Sequence, residues 1–299
     1  MHSKKVLLAL ASVAVAACSS MSSPPPDPAE PIKVLSDKAV PGFGWPESVG
    51  CDAQHNVLYV SQFGGEKPNP AAKDGLGYIS KVAPDGKVIE KRYFDVKMNK
   101  PKGLWVIGTR LWATDIDSLW IFDTVSKQSR RVEIPGINFA NDVVVKDGTA
   151  YVSDNRIDRL YRIEPADYLE ASVQPRVTLV WEKKNVFPNG LWVAKDGSLL
   201  MAGFESPEKH HGVYAMSVDG SIRELTPDIG RLDGLAERAD GTLLFTDWDS
   251  GAVIRYGPKG EIQVLGKDFK GPADLCTMGK MLYVPDLVKG EIRIFELDR

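Results

Sequence analysis

One short unit recurs six times along this chain, and its recurrence constrains the architecture more than any other feature. The copies read WPESVGC from Trp45, KPKGLWV from Lys100, FANDVVV from Phe139, FPNGLWV from Phe187, RLDGLAE from Arg231 and GPADLCT from Gly271. Successive copies stand about 39 to 55 residues apart, a period that suits propeller blades or helical arrays and is too long for small solenoid coils. Each copy leads into a second apolar run that ends on a polar residue or glycine: LYVSQ, LWATD, AYVSD, LLMAG, LLFTD and LYVPD. A third run follows, as in LWIFD, LYRIE and AVIRY. The alternation is of the strand kind, Gly/Asp turns separate the runs, and amphipathic helical spacing is almost absent. Six units of four short strands predict an all-β fold, a six-bladed β-propeller.

The ends of the chain agree with that count. The last unit stops after its third strand, GEIRIFELDR, whereas IKVLSDKAVPGFGWPES near the start parallels IQVLGKDFKGPADL. Residues near Ile32 to Ser36 are therefore expected to complete the sixth blade and hide an otherwise open edge. Closure would make the inner strands of blades 1 and 6 neighbours, with Cys51 in one and Cys276 in the other. A disulfide is open to them, but two small buried thiols is the preferred reading, because a bridge demands a short Cα separation that spacing does not verify.

Upstream, Lys4 and Lys5 precede an apolar run from Val6 to Ala17, a secretion signal over residues 1–17 that is too short for a transmembrane helix. The quartet Val15-Ala16-Ala17-Cys18 resembles a bacterial lipobox. That likeness implies lipidation of Cys18 and, with Ser19 next to it, an outer-membrane anchor facing the periplasm. Residues 18–31 read as a Ser/Pro-rich tether and 32–299 as the propeller. The formal net charge is -3 with Lys and Arg dispersed, so no nucleic-acid footprint exists. The expectation is a monomer that touches the membrane only through its lipid.

In a propeller the loop entering each inner strand lies on one face, so the third residue of each copy surrounds the channel mouth. Those residues are Glu47, Lys102, Asn141, Asn189, Asp233 and Ala273. Four carry oxygen and none is His or Cys. Two carboxylates and two amides suit a hard divalent cation, calcium first, with magnesium or manganese conceivable and zinc a poor match. Turn chemistry explains any one of them alone; four around one point favour a cation, because unpaired buried oxygens are costly.

The set Glu47, Asn141-Asp142, Pro188-Asn189-Gly190 and Asp233-Gly234, in blade order, resembles the metal-ligand signature of the senescence-marker-protein/gluconolactonase family, the regucalcin-like propellers. The resemblance implies a calcium- or zinc-dependent six-bladed propeller, many of whose members hydrolyse lactones or related esters. It also implies that Glu47, Asn141, Asn189 and Asp233 are ligands and that Asp233 is the general base. A cation can polarise a lactone carbonyl and activate water while a carboxylate takes the proton. G-x-S-x-G is absent, so no serine triad competes.

Two positions depart from the family pattern. Phe139 stands where family lactonases commonly carry an Arg that holds a sugar acid, which points to a less polar substrate. Lys102 enters from blade 2, and three readings stay open: pairing with Glu47 in place of the ion, contact with an anionic substrate, or a solvated rim position. Blades 1 and 4 lack the Asp that ends the second run elsewhere, with Gln62 and Gly203 in its place, and both continue into long loops. Those loops are expected as two facing lips over the pocket. The remaining Asp residues read as side-chain-to-backbone links. Lys102, Phe139, His210 and Trp248 are the candidate substrate-binding residues; Trp105, Trp112, Trp120 and Trp192 read as blade core. The leading expectation is a metal-dependent hydrolase of a lactone or small ester. Its rival is a non-catalytic propeller lipoprotein that binds a sugar-like ligand or an envelope partner.

Overall fold

The computed structural model describes residues 30–299. Cys18, the secretion signal and most of the tether lie outside the described residues. The 24 strands form six four-stranded sheets, each a strand meander whose consecutive members pair antiparallel, and no helix occurs among the described residues. The inner strands are Pro46–Asp52, Pro101–Ile107, Val143–Lys146, Pro188–Val193, Leu232–Glu237 and Cys276–Met278. This is the six-bladed propeller that the repeat predicts.

The sixth sheet is completed from the N-terminus. Val34–Pro41 lies antiparallel to Glu291–Leu297, from Val34 opposite Leu297 to Pro41 opposite Glu291. The closing strand thus begins two residues later than expected, because Ile32 has another duty. Its side chain is 1% exposed in the wedge between blades 5 and 6, among Leu265 and Phe295. Its backbone exchanges hydrogen bonds with the Gln263 amide.

At the seam Ser48 and Asp274 form an isolated parallel bridge, and the Asp274 amide donates to the Glu47 carbonyl at 2.9 Å. Cys51 and Cys276 are joined by a disulfide across a Cα separation of 5.9 Å, within the range a bridge requires. This corrects the expectation of two free buried thiols: ring closure brings together strands 225 residues apart, a proximity that local spacing does not contain.

The apolar core is divided into wedges between neighbouring blades. Trp112 and Leu119 of blade 2, for example, pack against Val143 and Val152 of blade 3, and Leu200 and Val213 of blade 4 against Leu235 and Phe245 of blade 5. Each sheet therefore buries both faces, which is why its inner runs are apolar with little alternation.

The repeated unit has a specific job in the register. The residue before the variable position faces the end of the second strand: Pro46 opposite Gln62, Pro101 opposite Asp115, Pro188 opposite Gly203, Leu232 opposite Asp247 and Pro272 opposite Asp286. In blades 1, 2, 4 and 5 the ladder slips immediately after that pair. Such bulges eject a residue from the ladder and re-aim its side chain. The small residue that follows lets blades approach: a Cβ on Gly190 would lie 1.9 Å from the Asp233 carbonyl oxygen, and one on Gly103 2.0 Å from the Asp142 carboxylate.

Candidate functional site

The variable residues meet at one end of the channel. Glu47, Lys102, Asn141, Asn189 and Asp233 all line a single cavity of about 390 Å³ and all are buried. Ala273, the sixth, packs instead with Phe63 and Leu287. Hydroxyls from the preceding blade fix the backbone at several of these positions. Thr114 donates to the Asn141 carbonyl at 2.6 Å, Ser153 to that of Asn189 at 2.7 Å and Thr246 to that of Ala273 at 3.0 Å. Sequence reasoning missed these supports, although the Ser/Thr before the terminal Asp recurs in LWATD, AYVSD and LLFTD.

Polar atoms crowd the centre of the ring. The Asn141 amide nitrogen donates to Asn189 Oδ1 at 2.6 Å and to Asn155 Oδ1 at 3.1 Å. Trp248 Nε1 donates to Asp233 Oδ2 at 2.8 Å. Glu47 Oε2 is buried with no hydrogen-bond partner. Burial, then the neighbouring Asp233, pushes the Glu47 carboxyl well above the usual range, with the Lys102 ammonium opposing. Burial and the Asp274 carboxylate push Asp233 up to about 8, against its hydrogen bonds from Trp248 and Asn189. Burial brings Lys102 down to about 8, opposed by Glu47 and Asp115.

Just inside the ring lie two further carboxylates. Asp142 accepts from the Val143 and Leu191 amides at 2.6 Å each, and Asp274 from the Ser48 hydroxyl at 2.5 Å. They border a second cavity of about 320 Å³, lined by Trp105, Trp192 and the Cys51–Cys276 bridge, towards the other end of the channel.

A divalent cation fits this donor set. Two buried carboxylates, one with an unpartnered oxygen, face two amides, and turning the Asn141 amide over would present its oxygen where its nitrogen now stands. No three His, Cys, Asp or Glu side chains gather into a metal site among the described residues; the candidate centre relies on amide oxygens for half its donors.

The lips are present as well. Pro68 and Pro70 of the blade 1 loop and Phe204 and Glu205 of the blade 4 loop line the same cavity. In blade 4 the missing Asp makes room: a Cβ on Gly203 would lie 2.5 Å from the His211 Cβ. The amides of Val186 and Phe187, left without that Asp, are held by Asp158 of blade 3 at 3.1 and 2.7 Å. Trp45 and Phe187, each preceding the Pro in a blade with a lip, adopt φ of 62° and 49°, a left-handed conformation that costs an L residue on the order of 1–3 kcal/mol.

Of the candidate substrate-binding residues, Lys102, Phe139 and Trp248 line the cavity and His210 does not. His210 Nε2 lies 3.3 Å from Asp249, and the neighbouring His211 takes the inward place, since successive residues of an extended chain face opposite ways. His211 is buried, with Nε2 3.0 Å from Glu205 and Nδ1 3.2 Å from the Tyr214 hydroxyl. Lys102 is no solvated rim residue: it is 1% exposed and donates to the Lys100 carbonyl at 3.1 Å. Asn155 and Arg156, directly after the blade 3 Asp, also line the mouth and escaped the sequence reading because they lie outside the repeated unit.

Several solved structures share this fold. A gluconolactonase from Xanthomonas campestris superposes with a TM-score of 0.65 at 15% identity, covering 94% of this chain and 100% of its own. A Bacteroides thetaiotaomicron protein of unknown function gives 0.63 at 13%, covering 90% and 72%. A streptogramin B lyase gives 0.58 at 14%, covering 88% and 98%. At such identities the likeness concerns fold alone. No curated protein matches in sequence. The region described as SMP-30/Gluconolactonase/LRE-like matches residues 77–283, and the chain belongs to that family.

Proposed function

We propose that the protein is a divalent-metal-dependent hydrolase of a lactone or related small ester, acting at the channel mouth. The observation that carries this reading is the convergence of Glu47, Asn141, Asn189 and Asp233 on one cavity, with Glu47 Oε2 buried and unpartnered. Membership of a gluconolactonase family supports the reaction class. These four residues would hold the ion, calcium being the best match to hard oxygen donors. When bound, such a cation polarises a carbonyl and lowers the pKa of water.

The chain's own groups supply the rest. Asp233 is oriented by Trp248 Nε1 and by Asn189, so its carboxylate is placed to take a proton from an attacking water. Phe139, Phe204 and the two prolines of the blade 1 lip give the cavity apolar walls that limit bulk water around the reacting ester. The leader and Cys18 support a lipid-anchored envelope location, proposed here from sequence.

Calcium titration tests the reading. Calcium is expected to raise the melting temperature of the full chain, chelation to abolish hydrolysis across a lactone panel, and Asn189→Ala to weaken both effects. Stabilisation by calcium without turnover of any lactone or ester would favour the binding-protein reading; no effect of any divalent ion on melting would remove the metal centre.

A further inference from the structure

Positive charge collects on one side of the mouth and plays no part in the metal-centre reading. The Phe139 ring is buried, and two cations sit over it: Lys102 Nζ at 4.1 Å and the Arg156 guanidinium carbon at 3.7 Å from its centroid. Both line the cavity. Neither is in ion-pair contact with a carboxylate among the described residues. Lys100, two residues from Lys102, pairs with Asp74 at 2.7 Å. Glu205 on the facing lip is already engaged by Lys209 and His211, at 2.7 and 3.0 Å. A Lys ammonium has three donors, and Lys102 directs one to a backbone carbonyl.

Two cations gathered over one ring repel each other, and although the Glu47 and Asp115 carboxylates act on Lys102 neither is in ion-pair contact with it, so part of the cost of burying its charge remains. Stacking on an aromatic face recovers about 0.5–2 kcal/mol for each and engages none of their N–H donors. An anion arriving at the open edge would satisfy both at once through charge-assisted hydrogen bonds, which are about twice as strong as neutral ones.

We propose that the mouth takes an anionic ligand, a lactone or ester carrying a carboxylate or phosphate group, docked against Lys102 and Arg156 with its ester group towards Glu47 and Asp233. This rests on the mouth being the substrate pocket, and it reverses the expectation of a less polar substrate drawn from Phe139, because Lys102 and Arg156 gather on that ring and bring back the positive charge an Arg there would have supplied. Arg156 is the specificity-determining residue to test, since it is exposed and is not one of the proposed ligands.

The test is calorimetric binding of D-gluconate, 6-phospho-D-gluconate and neutral sorbitol to the wild type, Arg156→Gln and Arg156→Lys. At least one anion should bind the wild type about tenfold or more tighter than sorbitol, a factor worth about 1.4 kcal/mol. Arg156→Gln should erase most of that preference, Arg156→Lys should retain part of it, and the two anions distinguish a carboxylate from a phosphate site. Equal binding of charged and neutral probes, or an unchanged preference in Arg156→Gln, would overturn the proposal even in an active lactonase. An anion preference that depends on Arg156 in a protein without divalent-dependent turnover would uphold it while the hydrolase reading fell.

Discussion

Two rings of polar side chains circle the same axis, some 13 to 15 residues apart within each repeat, and their hydrogen bonding separates their roles. In the ring at the ends of the second strands, Asp115 accepts the Asn99 and Lys100 amides at 2.8 and 2.7 Å. Asp154 accepts those of Asn138 and Phe139 at 2.6 and 3.0 Å, and Asp286 those of Lys270 and Gly271 at 2.8 and 3.1 Å. These carboxylates latch the segment that enters the inner strand in blades 2, 3 and 6, and backbone donors fill them. The ring at the mouth differs from blade to blade, and Glu47 Oε2 has no partner at all. An Asp whose oxygens are filled by backbone donors holds the fold together; a ring that varies from blade to blade and leaves a buried carboxylate oxygen unpartnered is equipped for something that arrives from outside.

The sharpest way to break that distinction is to strike the mouth without touching the latches. Asp233→Asn keeps an acceptor for Trp248 but removes the base, so hydrolysis should fall by about a thousandfold while the metal-free melting temperature does not drop. Initial rates and calorimetric melting of the same preparation check both halves.

The seam comes next in size. Cys51→Ser with Cys276→Ser removes a cross-link between residues 225 apart and should cost about 4 kcal/mol. The melting temperature should fall by about 10 °C with the antiparallel sheet signal in circular dichroism retained at 25 °C.

A latch can then be cut where the mouth contributes nothing polar. Asp286→Ala in blade 6, whose variable residue is Ala273, strands the amides of Lys270, Gly271 and Lys289. The expected cost is about 3 kcal/mol, read as a lower denaturant midpoint with unchanged kcat/KM per folded molecule. A large loss of kcat/KM here would merge the two rings into one.

The smallest effect belongs to a carboxylate outside both rings. Asp123 is brought down to about 2, first by the Ser126 amide, with the Val125 amide and the Ser126 and Thr109 hydroxyls adding to it. An unfolded Asp titrates near 3.9, so this contribution is full above about pH 4 and is lost as pH falls through about 2. Asp123→Asn should therefore lower the melting temperature by a few degrees at pH 7, with the difference shrinking as pH falls towards 2 and vanishing below it, as a pH series of melts will show.

Much of this was legible in the order of residues. The unit recurs because the entry to each inner strand must present its third residue to the channel, by a ladder slip in blades 1, 2, 4 and 5, with a glycine after it in blades 2, 4 and 5 where blades approach, so blade number and the variable residues at the mouth follow from the repeat. The latch Asp residues were legible for the same reason. Asn155 and Arg156 were not, because their position at the mouth comes from a turn outside the repeated unit. His210 and His211 were indistinguishable as neighbours until the chain direction in the blade 4 lip set one inward and the other outward.

Sequence alone determined the all-β class, the sixfold count and the identities of the repeat's variable residues at the channel mouth, since these depend on local periodicity and strand register. Only the closed ring decided that Cys51 reaches Cys276, that Glu47 and Asp233 share one cavity, and that Lys102 and Arg156 converge on Phe139. Those are encounters between segments remote along the chain, and only packing of blade against blade brings such segments within reach of each other.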